Sequence, residues 1–93
     1  MLRGIIRGRA RLGWEPPKTI TLYRGDVYAI DRFKYFWTGY VLMVIIEPGS
    51  VYQNWVTIPI TVREGDLIYI KPWERLYKVT KMDRNHIVLE LTG

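Results

Sequence analysis

Turn-forming residues punctuate this chain so often that no element between them can be long. Gly13 with Pro16-Pro17, Gly25-Asp26, Thr38-Gly39, Pro48-Gly49-Ser50, Gly65-Asp66, Pro72 and Arg84-Asn85 divide 93 residues into segments of about ten. Gly, Pro, Asn and Asp at this density mark tight turns, because they supply the fixed or positive φ that such turns demand. The segments between them are rich in β-branched and aromatic residues, and several alternate with period two. In Trp55–Val62, Val56, Ile58, Ile60 and Val62 share one face while Trp55, Thr57, Pro59 and Thr61 share the other, the pattern of a half-buried strand. Pro59 cannot donate to a ladder, which puts this strand at a sheet edge or a bulge.

Strands are expected near residues 2–12, 19–24, 27–36, 39–47, 51–62, 66–71, 75–82 and 86–92, with no substantial helix. Short strands at this spacing predict an all-β fold, a single small antiparallel β-barrel of SH3-like or related type. Residues 1–17 read as a basic N-terminal arm or edge strand and residues 18–93 as the barrel. The last two strands form the clearest hairpin, with Tyr77 and Val79 facing Ile87, Leu89 and Leu91 across a turn at Asp83–His86, where Asn85 tolerates a left-handed backbone. Ile20–Ile30 aligns without gaps on Ile60–Ile70 with five identities in eleven. The shared unit is strand, Gly-Asp turn, strand, which reads either as a duplicated half-barrel or as two hairpins that converged on one turn chemistry.

Net charge is +5 and sits almost wholly at one end. Residues 1–24 carry Arg3, Arg7, Arg9, Arg11, Lys18 and Arg24 against Glu15 alone, while residues 25–93 hold eight cations and eight acids. A directed positive field of this kind attracts a polyanion. In an extended segment Arg3, Arg7, Arg9 and Arg11 share one face, consecutive members of an alternate-residue row standing roughly 7 Å apart. Their planar forks suit phosphate. In Arg32–Tyr40, alternation sets Phe33, Tyr35 and Trp37 against Arg32, Lys34 and Phe36. Either the rings fill the barrel, or one face stays exposed as a platform on which unpaired bases stack between cations.

Catalysis has little to work with. The sequence has one histidine, His86, one serine, Ser50, and no cysteine, so neither a Cys/His dyad nor a typical zinc site can be assembled, and no metal or cofactor is expected. Asp26 and Asp66 are the obvious carboxylate pair, yet each follows a glycine where Asp ordinarily bonds its own turn. No transmembrane segment or secretory leader is read, since the longest aliphatic run, Val41–Ile46, is far below the roughly 20 residues a membrane helix needs. A cytoplasmic location is expected. Scarce amide residues with abundant Ile, Tyr, Arg and Glu lean towards a thermophilic source.

Two family resemblances accompany these residues. The stretch Gly65–Leu91, a Gly-Asp turn followed by Leu76-Tyr-Lys-Val-Thr-Lys-Met82 and a hairpin into His86–Leu91, resembles the later strands of SH3-like barrels of RNA-associated and ribosomal proteins. Thr57-Ile-Pro59, Arg63 and Gly65-Asp66 resemble, in order, the AbrB-type swapped-hairpin DNA-binding domains, although those carry a short helical segment where five residues stand here. Both imply nucleic acid as partner.

The sequence thus predicts a non-catalytic nucleic-acid-binding protein, favouring RNA or a ribonucleoprotein over DNA, with little sequence specificity. Arg3, Arg7, Arg9, Arg11, Lys18 and Arg24 would contact phosphates, and Arg32, Lys34, Tyr35 and Trp37 would reach bases or backbone. The competing expectations are a structural or protein-interaction module whose N-terminal strand pairs with a partner's sheet edge, in an oligomer or larger particle, and an AbrB-like DNA-binding regulator.

Overall fold

A computed structural model describes residues 15–93, which fold as eight strands without a helix. They are β1 Thr19–Tyr23, β2 Tyr28–Ile30, β3 Phe33–Trp37, β4 Leu42–Ile46, β5 Val56–Ile60, β6 Leu67–Ile70, β7 Arg75–Met82 and β8 His86–Leu91. The strand expected over residues 2–12, with Arg3, Arg7, Arg9 and Arg11, lies outside the described residues. Among the described residues no helix is long and apolar enough to cross a membrane.

The all-β expectation holds, but the single closed barrel does not. The strands form two four-stranded antiparallel sheets, ordered β1-β8-β7-β6 and β2-β3-β4-β5. Among the described residues one isolated backbone bridge, Arg24 to Trp37, passes from the first strand segment to the second sheet. Ladder pairing otherwise stops at the four sheet edges.

The two Gly-Asp segments explain why. Each is a corner at which the chain leaves an edge strand of one sheet and enters an edge strand of the other, β1 to β2 and β5 to β6. Their turns match closely. Gly25 and Gly65 both take φ +96°, and the Asp26 and Asp66 amides each donate to the carbonyl three residues back, Tyr23 and Arg63, at 3.0 Å. The expectation of hairpins here is therefore corrected: the strands flanking each turn do not pair with one another. Asp66 bonds its own turn, its Oδ2 accepting from the Arg63 N–H at 2.9 Å.

Residues 27–36, expected as one strand, divide into β2 and β3 around Asp31-Arg32, with Ile30 opposite Phe33. Asp31 takes φ +55°, a left-handed conformation that Asp tolerates better than most side chains. At the other end of β3, Thr38 Oγ1 accepts from the Tyr40 and Val41 amides and delays β4 to Leu42. Residues 51–54 likewise belong to a loop, in which Ser50 Oγ accepts from the Tyr52 N–H and Gln53 Oε1 from the Gly49 N–H.

The core lies between the sheets. Ile20, Leu22, Ile68, Ile70, Tyr77, Val79, Ile87 and Leu89 face Ile30, Tyr35, Trp37, Leu42 and Val44, each large aliphatic contributing roughly 1.5–3 kcal/mol on burial. The C-terminal hairpin has the expected partners, Tyr77 opposite Leu91 and Val79 opposite Leu89. Its turn uses Asp83 instead of a left-handed Asn85: Asp83 Oδ1 accepts from the Asn85 and His86 amides at 2.8 and 2.9 Å. A bulge at Thr80 shifts the register so that Lys81 pairs with Val88 and Met82 with Ile87. Beyond it Met82 takes the inward position and Lys81 turns out.

Candidate nucleic-acid interface

The residues expected to touch nucleic acid part company along β3. Alternation does place Phe33, Tyr35 and Trp37 on one face, and that face is the core: Tyr35 is 3% exposed and Trp37 1%. Neither ring has a face to offer a base, which corrects their expected role. Trp37 instead donates its Nε1–H to the Asp83 carbonyl at 2.7 Å, joining the second sheet to the turn between β7 and β8. Burial pushes the Tyr35 phenol up to about 12, against a lowering contribution from the Lys71 backbone N–H.

Lys34 points outward but is already engaged. Its Nζ lies 3.0 Å from Glu47 Oε1 and 5.4 Å from the Trp55 ring centroid, a cation–π arrangement. Arg32 reaches the Glu47 carbonyl at 3.5 Å and lies so close over Gly49 that a Cβ there would stand 2.5 Å from its Nη1. Lys18 is exposed just before β1, where its carbonyl accepts from the Leu91 N–H. Arg32 and Lys34 meet at Glu47, and Lys18 stands apart on the first sheet.

Arg24 stands at the opposite end of β3 from Arg32, and there a cluster forms. The end of β1, the loop Thr38–Val41 and the turn Asp83–His86 meet because the Arg24 N–H donates to the Asn85 carbonyl at 2.8 Å and Trp37 bonds Asp83. Gly39 fits between them only as glycine. Its φ is +100°, and a Cβ would stand 3.3 Å from the Arg84 carbonyl oxygen and 3.5 Å from Arg24 Cδ. The Arg84 guanidinium lies 5.7 Å from the Tyr40 ring centroid and donates to the Tyr40 hydroxyl at 3.3 Å. Beside it Tyr23 stacks on His86 with centroids 5.8 Å apart and planes at 25°. Tyr23 and Tyr40 are 55% and 69% exposed, so both rings present area to solvent.

Asp83 is the acid of this corner. Hydrogen bonds from the His86 and then the Asn85 backbone N–H hold its carboxyl below the usual carboxylate range, and His86 Nδ1 lies 3.0 Å from its Oδ1. Its charge is turned towards its own turn, while Arg24 and Arg84 supply forked donors next to exposed rings. This arrangement can grip a phosphate and stack a base. Tyr23, Tyr40, Arg84 and His86 were absent from the expected set. Arg84 was legible as a cation at the tip of a tight hairpin between strong strands, the kind of site that carries function.

The outer face of the first sheet continues the surface. From Tyr23 and His86, cross-strand pairing leads through Val88 and Lys81 to Lys78 opposite Glu90. Lys78 and Lys81 are exposed and form no ion pair within 4.0 Å with a described residue. Among the described residues no group of three His, Asp or Glu side chains could hold a metal ion. No family model, curated protein or solved structure matches the chain.

Proposed function

We propose that the protein binds nucleic acid, RNA or an RNA-containing assembly ahead of DNA, by contacting phosphates without catalysing a reaction on them. One observation carries the reading: residues 1–14 hold four arginines and no acid, +4 of the total +5, ahead of 79 residues that hold ten cations and nine acids and sum to +1. Charge so divided supplies affinity and little sequence information. The Arg24–Tyr40–Arg84 corner adds donors and rings, and takes the role first given to Tyr35 and Trp37.

The test is a salt titration of binding to single-stranded RNA, double-stranded RNA and duplex DNA. Four arginine contacts give a log–log slope of about −3 to −4, roughly two decades of affinity between 50 and 200 mM salt. Replacing Arg3, Arg7, Arg9 and Arg11 together by Gln flattens that slope; Arg24→Gln with Arg84→Gln removes about 0.7–0.9 per lost contact. Binding indifferent to both sets overturns the reading. Preference for duplex DNA favours the AbrB-like alternative.

The β5 edge, which pairs with no other described strand, favours a second reading, a module that pairs with a neighbouring sheet. In that case prolines at Ile6 and Ala10 abolish assembly, and arginine replacement leaves it intact.

A further inference from the structure

The two sheets part on one side, and the gap has the chemistry of a ligand site. β5 is the last strand of the second sheet and β6 the last of the first, and no ladder joins them. Between them lies a cavity of about 340 Å³, within the range of small-molecule sites. Tyr35, Val44, Ile46, Ile58, Ile60 and Ile68 form its walls. Ile58 pairs with Val44 and shares its inward face, yet is 41% exposed where Val44 is 6%. It is a core-facing side chain left partly open to the cavity.

Among the described residues, Lys71 is the only charged side chain lining the cavity. It follows directly on β6, is exposed, and forms no ion pair within 4.0 Å with a described acid. One residue past Ile70, it stands at the end of the edge strand that lines the cavity. Walls this apolar cannot satisfy the edge of a nucleobase or the oxygens of a phosphodiester. A hydrocarbon tail matches them, and a single negative headgroup matches the lone ammonium.

We propose that the cavity between β5 and β6 binds an amphiphilic monoanion, with an unbranched hydrocarbon tail among the isoleucines and a carboxylate at Lys71. A methylene fills about the space of a water molecule, roughly 30 Å³, so the cavity takes a tail of about ten carbons. The inference stands independently of nucleic-acid binding, because none of these residues belongs to the Arg24–Tyr40–Arg84 corner.

Calorimetric titration of the full chain with hexanoate, octanoate, decanoate and decanol, each below its micellar concentration, tests it. Affinity is expected to rise roughly four-fold per methylene up to decanoate. Lys71→Glu, at an exposed position, weakens decanoate about ten-fold and leaves decanol unchanged. Ile58→Trp, with near-UV circular dichroism confirming the fold, removes both. Absence of saturable decanoate binding by the full chain overturns the proposal, as does decanoate affinity indifferent to Lys71→Glu. Decanoate binding that emerges only in the Leu2→Ser, Ile6→Ser chain overturns it in favour of the chain's own N-terminal segment. Self-association of the full chain that decanoate fails to reverse overturns it in favour of a second copy.

Discussion

Tyr77 shows how much one buried hydroxyl can organise. Its ring is fully buried between the sheets, and its OH donates to the Pro17 carbonyl at 2.6 Å, fixing the residues that lead into β1. Tyr77→Phe leaves that carbonyl without its donor and is expected to cost about 1 kcal/mol in urea unfolding. Burial, with the neighbouring Tyr28 phenol, pushes Tyr77 up to about 12, as burial does Tyr35. Between about pH 10 and 12 the unfolded chain releases these protons while the folded chain keeps them. The stabilisation is thus complete below pH 10 and lost as pH rises through 12, with a slope of about 1.4 kcal/mol per unit for each phenol. Denaturation at pH 9 and 11 measures it, and Tyr77→Phe removes one share. Period two in Arg32–Tyr40 revealed which rings travel together, but not which face was wet. That choice is made by the first sheet, whose approach no local pattern encodes.

Glycines carry the elements round their corners. Gly25 and Gly65, at φ +96°, have nothing within 4 Å of a Cβ, so Gly65→Ala costs only the backbone strain, about 1–3 kcal/mol. Gly39→Ala meets the Arg84 carbonyl as well and is expected to cost more. Thermal unfolding of the two variants gives the difference directly, and the greater loss at Gly39 should be matched by weakened RNA binding through the Arg24–Arg84 corner. Both Gly-Asp turns were legible, down to their shared chemistry, but their partners were not. A turn fixes how the chain bends and not which edge the next strand finds, so corners read as hairpins. The split at Asp31 was visible only as one acid in an apolar and aromatic run, and the Thr80 bulge left no mark in composition. Deleting Thr80 removes the bulge while keeping Val79 in, Lys81 out and Met82 in, so urea unfolding of that variant is expected to lose no more than about 1 kcal/mol.

Across the whole molecule, what was readable was class, charge division and the position of Pro59, which does lie on an edge strand. Closure was not readable, because it depends on the edges of β5 and β6, which do not pair with one another. Pro59 removes one donor from the β5 edge, a recognised guard against strand addition. Pro59→Thr is expected to leave the fold intact and to produce concentration-dependent association, seen as a rising sedimentation coefficient.

The order of pairing has a temporal consequence. Every ladder in the second sheet joins strands adjacent in sequence, all within residues 28–60. In the first sheet, the one described partner of β1 is β8, Thr19 with Glu90. During synthesis the second sheet can therefore zip up strand by strand as it emerges, while β1, made before it, must wait for His86–Leu91. The wait exposes its row of unpaired amides for the several seconds that the intervening residues take at about 5–20 residues per second. The strand translated earliest among these eight is thus the one whose partner arrives last.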